Sequence, residues 1–409
     1  MISVAEAESI ILNLVTPIKD TEIISLEDSL GRILAETVTS QLDFPYWDNS
    51  AMDGYAVKFE DVAQSTPESP TILEIIEEIP AGINPQKSLQ SGQASRIFTG
   101  AMLPRGADTI IMQENTEKKD NQVVILSSPD SPQTFVRKQG EYYQAGSSLL
   151  SPGILINAPE IAVLATAQCS TIRVYRRPRV AILSTGDELV TPSQPLQPGQ
   201  IVDSNQYALA AFVSRLGAIP IKLGIVPDDK NQLLEKMKEA INCADFVLST
   251  GGVSVGDYDY IEQLLSELGG EILINGIAVT PGKPLTVVKF TNNDCVYFGI
   301  PGNPVSALVS CWRFVQPAIR KLSGLSADWY PKFIKAKSCQ TLRSRGQRET
   351  YFWGQLQLVD NHYEFELAPG TQSSANLINL AGTNALAMLP VGTTNINSGE
   401  EVLVMFNVI

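Results

Sequence analysis

At 409 residues the chain is too long for one ordinary hydrophobic core, so two to four domains are expected. Apolar residues make up 44% of it, and its formal net charge of −14 argues against a general nucleic-acid binder, because no basic stripe offers phosphate neutralisation. An anionic ligand would have to be held by a few local Lys and Arg residues and by backbone N–H groups.

Residues 1–40 read as two helices. Ser3 and Glu6 make a capping box ahead of Ile10, Ile11, Leu14 and Val15, and SLEDSLGRILAETV (25–38) repeats the helical period. From Pro45 to about Gly146 the pattern turns β-like: TILEIIEEIPAG, ASRIFTG, DTIIMQENTE and NQVVILSS are separated by Pro and Gly turns. Within this stretch FPYWDNSAMDGYAV (44–57) has a DG turn that could present Asp53, and RIFTG (96–100) offers Thr99 beside a glycine.

Residues 178–324 alternate strand and helix, which predicts a doubly wound, mostly parallel sheet with helices on both faces. Its apolar runs end in or precede small or acidic residues: RVAILSTGDEL, KLGIVPDD, DFVLSTGGVSVGDYDY, AVTPGKPLTVV and VYFGIPGNP. Such loops gather at the carboxyl edge of a doubly wound sheet, where ligands bind. In GIPGNPVSAL, Asn303 can cap the following helix, Pro304 suits its first position, and Gly302 lets the backbone approach a ligand. STGGVSVGD could wrap a phosphate, yet it is neither a Walker loop nor GxGxxG. Asp187, Glu188, Asp228 and Asp259 recur at successive strand exits, where they could share a divalent cation with a phosphate. Each alone is better read as an ordinary turn or cap residue, and it is their recurrence that favours the metal. Lys283 in TPGKP is the one cation in these loops.

From about Ala327 onward only strands appear, suggesting a small β barrel or sandwich. The single histidine, His362, lies in VDNHYEFEL and reads as part of a hairpin; Ser-His-Asp chemistry and multi-histidine metal sites are thereby nearly excluded. The five cysteines (169, 243, 295, 311 and 339) lack CxxC spacing and fit reduced, mostly buried thiols in a cytoplasm. The first 18 residues carry no Lys or Arg, and no apolar run reaches membrane-spanning length, so neither secretion nor membrane insertion is expected.

SLGRILAE, DNSAMDGYAV, RIFTGAMLP followed by GAD, STGDEL, GGVSVGDYDY, PGKP, GIPGNPVSA and the final AMLP together resemble the molybdopterin molybdenumtransferase family, including the homologous C-terminal region of gephyrin. The resemblance covers nearly the whole chain. It implies a linker and dimerisation domain (1–44 and 146–177), a small β domain (45–145), a molybdopterin-binding-like α/β domain (178–326) and a C-terminal β barrel (327–409). It also implies a homodimer whose cleft lies between the α/β domain of one subunit and the small β domain of its partner.

The implied reaction completes the molybdenum cofactor. Adenylylated molybdopterin and molybdate are bound, AMP leaves in a Mg²⁺-dependent step, and the metal enters the dithiolene; tungstate is a similar oxyanion. On this resemblance Asp53 and Thr99 face the cleft, while Glu188, Asp228 and Asp259 manage Mg²⁺, water or oxyanion, and Lys283 neutralises charge. Gly251, Gly252, Ser254, Gly256, Pro301, Gly302 and Asn303 hold phosphates, and Arg348 and Ser374 line the far side. A molybdopterin adenylyltransferase is the implied substrate donor. The family commonly carries basic residues directly before PGKP and four positions earlier; Thr280 and Gly276 stand there. Its RxxGED pattern appears as RKQGEYY, with Tyr142 in place of a carboxylate. A non-catalytic pterin-binding or scaffolding homologue is the competing expectation.

Overall fold

The computed structural model describes residues 1–251 and 261–406. The chain forms two compact units. One comprises Met1–Glu36, Pro152–Ile161 and Thr171–Ile409; the other comprises Thr37–Ser151 and Ala162–Ser170.

The larger unit is built on a six-stranded sheet in the order Ile219–Val226, Arg179–Thr185, Phe246–Thr250, Cys295–Ile300, Thr286–Phe290, Glu271–Asn275. The first four run parallel, and within this sheet only Thr286–Phe290 points the other way. RVAILST and CVYFGI are almost wholly buried, as expected where helices cover both faces and side chains on both sides of a strand are inside. One such helix, Lys230–Cys243, starts where the Asp229 carboxylate accepts from the N–H groups of Asn231 and Gln232 and buries Leu233, Met237 and Ile241.

The same unit contains a five-stranded barrel. Glu349–Val359 pairs with His362–Leu367, and the pairing continues through Phe333–Ser338, Glu401–Phe406 and Ala385–Leu389 back to Glu349–Val359. Closure removes the free edges that an open sheet would expose. The barrel reading is thus borne out, with one short 3₁₀ turn at Leu377–Leu380 among the strands. His362 begins the second strand of a hairpin opposite Val359, as expected. Val279–Thr280 pairs in parallel with Glu349–Thr350, which fastens the TPGKP loop to the barrel.

The smaller unit has a mixed six-stranded sheet in the order Thr109–Met112, Gly54–Val57, Gln93–Ile97, Thr71–Ile79, Gln122–Ile125, Thr116–Lys119. Val57, Leu73, Ala94 and Val123 form part of its core.

The second N-terminal helix is not there. Val4–Leu14 is helical, with the Ser3 hydroxyl accepting from Glu6 N–H, but 25–38 is a turn followed by short β bridges. The Ser25 hydroxyl donates to the Asp28 carboxylate and accepts from Asp28 N–H, and Gly31 lies at φ 73°. Ile33 and Leu34 then bridge to Leu155 and Val174, and Leu34 is fully buried. Long-range pairing plus local side-chain bonding outcompete a helical period that has no cooperative length to spare. Among the described residues no helix is long and apolar enough to cross a membrane. The cysteines are less buried than expected: Cys295 and Cys311 are buried thiols, Cys169 and Cys243 are half-buried, and Cys339 is exposed.

Candidate active site

The carboxyl edge of the parallel strands is held by glycines. Gly251 ends Phe246–Thr250 at φ 89°, and a Cβ there would lie 2.4 Å from the carbonyl oxygen of Thr185 on the neighbouring strand. Gly302 lies beside Gly251, where an added Cβ would make an ordinary 3.5 Å contact with the Gly251 Cα. Asn205 Nδ2 donates to the Gly302 carbonyl at 2.7 Å, tying this third strand exit to a covering helix. Pro301 is buried beside it.

Asn303 departs from expectation. It occupies the cap position and Pro304 is the first helical residue, but the Asn303 side chain makes no capping hydrogen bond. The extended backbone at φ −63° and ψ 123° starts the helix without it, and the Val305 N–H is taken by the Ser374 carbonyl at 3.3 Å. That bond brings Ser374 of the barrel region to the PGNP turn.

The acidic residues cluster one strand further along. Asp187 Oδ1 accepts from the backbone N–H of Asp228 at 3.2 Å. Gly186 has no Cβ to spare: one would lie 2.5 Å from Glu188 Oε2, so the glutamate folds back against its own turn. Asp228 sits at the surface, yet partial desolvation, and then the like charges of Asp187 and Glu188, push its carboxyl above the usual carboxylate range. This is negative charge without a neutralising partner. Among the described residues no group of three His, Cys, Asp or Glu side chains is arranged to hold a metal ion. Asp259, Gly252, Ser254 and Gly256 lie outside the described residues.

A cavity of about 740 Å³ opens where the TPGKP loop meets the barrel. Its lining includes Thr280, Lys283, Arg343, Arg345, Arg348 and Ser374, and no Asp or Glu among the described residues. The fold therefore brings together Lys283, Arg348 and Ser374, three residues expected to share a site although about 90 positions separate the first from the last. Arg343 and Arg345 escaped the sequence reading. Their signal was RSRGQR, three arginines within six residues of an acidic chain. Beneath the cavity Tyr351, one of its lining residues, accepts from Arg313 Nε at 2.8 Å, and Arg313 is also paired with Glu8.

In the smaller unit Asp53 and Thr99 are joined directly. Asp53 Oδ1 accepts from the Thr99 backbone N–H at 2.7 Å and from its hydroxyl at 2.8 Å. The backbone bond, then the hydroxyl, hold the exposed Asp53 carboxyl below its usual range. Gly54 permits this turn, since a Cβ would overlap the Ile111 carbonyl at 1.9 Å. Tyr142 packs its ring at 5.7 Å from Phe44 within an aromatic cluster.

Three family models tile the chain: the MoeA N-terminal region (domain I and II) over 2–167, a probable molybdopterin binding domain over 181–321, and the MoeA C-terminal region (domain IV) over 335–406. The chain is 58% identical to the molybdopterin molybdenumtransferase of Nostoc sp., across 99% of this chain and 94% of that one. It belongs to the molybdopterin molybdenumtransferase family.

It is 36% identical to the Bacillus subtilis molybdopterin molybdenumtransferase, over 94% of this chain and 90% of that one. The crystal structure of the molybdopterin biosynthesis MoeA protein from Pyrococcus horikoshii superposes with a TM-score of 0.85 at 28% identity, covering 99% and 100% of the two chains. As a molybdopterin molybdenumtransferase-family member the chain is a transferase of molybdenum cofactor biosynthesis, and its multidomain α/β plus β-barrel architecture is the family's.

Proposed function

We propose that this transferase binds adenylylated molybdopterin and molybdate, cleaves the phosphoanhydride so that AMP leaves, and inserts molybdenum into the dithiolene. The observation that carries the reading is the cavity under the TPGKP loop, where Lys283, Arg348 and Ser374 meet with no opposing carboxylate among the described residues. A half-enclosed cationic wall of this kind favours a tetrahedral dianion over neutral ligands. Lys283 and Arg348 neutralise the charge of the oxyanion, and Ser374 offers a hydroxyl donor. The Gly251, Pro301 and Gly302 turns let backbone come close to phosphate, with Asn303, Gly252, Ser254 and Gly256 assigned to the same task.

Glu188 and Asp228, with Asp259, are assigned to Mg²⁺. The fit rests on the Asp187 carboxylate accepting from the Asp228 N–H, which sets Asp228 beside the Asp187–Glu188 turn, where desolvation and then like charge raise its carboxyl pKa. Mg²⁺ is commonly held by one or two carboxylates together with waters and phosphates, so three protein ligands are not required. Bound there, the ion would stabilise charge on the phosphates. Asp53, kept ionised by Thr99, presents a fixed carboxylate to the substrate. Positioned charge rather than a histidine base suits this chemistry.

The reading includes a homodimer, a cytoplasmic setting and a molybdopterin adenylyltransferase as substrate donor. Its test is AMP release from adenylylated molybdopterin, with and without molybdate, tungstate and Mg²⁺. Release stimulated by molybdate and lost in Lys283→Ala and Asp228→Asn supports it; release indifferent to both oxyanion and substitution defeats it. Tight pterin-nucleotide binding without turnover would select the non-catalytic alternative.

A further inference from the structure

We infer that Arg343 and Arg345 capture the tetrahedral oxyanion at the mouth of the TPGKP cavity, acting on its binding rather than on bond rearrangement. The inference rests on the function proposed above and adds two residues to the site.

Both arginines line the cavity that also holds Lys283 and Arg348, and both are solvent-exposed. Neither makes a side-chain hydrogen bond or an ion pair with another described residue, and the same holds for Lys283. Arg313, by contrast, has Glu8 and Glu349 within 4 Å. Four cations converging on one cavity, with no carboxylate in its wall among the described residues, repel one another until an anion arrives.

Their segment is fixed from several sides. Leu342–Arg343 pairs with Asn395–Ile396. Ser344 N–H donates to the Thr394 carbonyl at 2.9 Å, and the Ser344 hydroxyl donates to the Thr393 carbonyl at 2.6 Å. Gly346 N–H in turn donates to the Ser344 hydroxyl at 2.9 Å, while the Gly346 carbonyl accepts from Gly392 N–H at 2.8 Å. Gly346 stands at φ 68°, where a Cβ would press to 3.0 Å from Thr394 Cγ2. Two residues apart, Arg343 and Arg345 line the same cavity. A pinned backbone presenting paired guanidinium forks lowers the ordering cost of gripping an oxyanion. Their exposure assigns them to capture: attraction reaches about 8 Å at physiological ionic strength and is screened by added salt.

The recognised chemistry is a doubly charged tetrahedral oxyanion, supplied either by molybdate or tungstate or by a phosphate of the pterin nucleotide. The test uses the full chain with Arg343→Gln and Arg345→Gln combined, a matched double Lys variant as charge control, and thermal melts to establish folding. Molybdate and pterin-nucleotide affinities are measured separately by calorimetry at low and high salt, alongside the KM and kcat of AMP release. The expected result is a molybdate Kd and KM raised at least tenfold, kcat at saturating molybdate within twofold, a flatter salt dependence, and substantial recovery in the Lys variant. Thr280→Arg, which places a cation on the same wall, is expected to restore part of the affinity in the Gln variant. A loss confined to pterin-nucleotide affinity supports the inference with phosphate as the oxyanion. Unchanged affinity for both ligands overturns it, as does a fall in kcat with both affinities intact. If the unsubstituted chain binds but releases no AMP, the functional reading falls while the calorimetry still decides the role of the two arginines.

Discussion

Thr99 donates twice to a single oxygen of Asp53, through its backbone N–H at 2.7 Å and its hydroxyl at 2.8 Å. The carboxylate of an exposed loop is thus fixed by a residue 46 positions away, and its pKa lies below the usual 3.8. The backbone donor is the larger cause and survives any substitution of the side chain. Thr99→Val should therefore raise the Asp53 pKa while leaving it below 3.8, as followed by carboxyl NMR titration. A depressed folded pKa contributes stability that is present above the unfolded value and is lost as pH falls through the folded one. The variant should accordingly show a smaller loss of stability between pH 5 and the acid limit, and an unchanged titration curve would contradict the assignment.

Asp228 shows the opposite sign. Its raised carboxyl pKa means that the folded chain holds this proton more tightly than the unfolded chain does. Asp228 therefore weakens the fold as pH rises from the unfolded value through the folded one, and the cost persists at pH 7. Asp187→Asn removes one of the two repelling charges but keeps an oxygen to accept the Asp228 N–H. Thermal melts should show the variant gaining stability relative to the unsubstituted chain at pH 7, with little difference at pH 3. If Mg²⁺ binds at this edge, millimolar Mg²⁺ should raise the melting temperature more in the unsubstituted chain than in the variant. Equal melting shifts at both pH values would mean that repulsion is not the cause.

Much of the strand edge was legible because its constraints are local. The STGG exit carries Gly251, whose missing Cβ is required by the Thr185 carbonyl, and that neighbour lies on a strand the alternating pattern already implies. The barrel followed from its run of strands, but the register that closes it did not. The arginines of RSRGQR acquire meaning only through the parallel pairing of Val279–Thr280 with Glu349–Thr350, a contact between segments 70 residues apart in sequence. The segment 25–38 failed for a related reason: its helical period was overridden by pairing of Ile33 and Leu34 with Leu155 and Val174. The order Asn303–Pro304 in GIPGNPVSAL suggests a side-chain cap, whereas the Ser374 carbonyl takes up the Val305 N–H there.

Gly251 and Gly302 separate backbone constraint from ligand contact. Gly251 combines φ 89° with a prospective Cβ at 2.4 Å from the Thr185 carbonyl oxygen, so Gly251→Ala must move a central strand end. Left-handed backbone at a residue with a Cβ costs about 1–3 kcal/mol before the clash is added. Gly302 has only an ordinary 3.5 Å contact to Gly251 Cα and no left-handed backbone. Gly302→Ala should leave the denaturant midpoint within error while weakening pterin-nucleotide binding, and Gly251→Ala should lower the midpoint measurably. Equal stability losses in the two variants would show that the strand exits tolerate no side chain for reasons of packing alone.

Arg313 ties the N-terminal helix to the floor of the cationic cavity. Its guanidinium is almost completely buried, with Nη1 2.7 Å from Glu8 Oε1, Nη2 3.2 Å from Glu8 Oε2 and Nε 2.8 Å from the Tyr351 hydroxyl. Glu349, at 3.9 Å, is the remaining carboxylate. Glu8→Gln keeps the shape but withdraws the bidentate charge, leaving a buried cation half-compensated; the expected loss is about 3 kcal/mol. Replacing Arg313 by Met together with Glu8 by Leu removes the charge and its main partner and should recover part of that loss, because both desolvation penalties disappear. The cavity supplies a second readout. Tyr351 lines it, so loosening Arg313 should weaken oxyanion binding along with stability, whereas Arg345→Gln should weaken binding alone. Urea unfolding and calorimetry on the same three proteins distinguish these outcomes, and a stable Glu8→Gln variant with normal binding would rule out a coupling between the helix and the cavity.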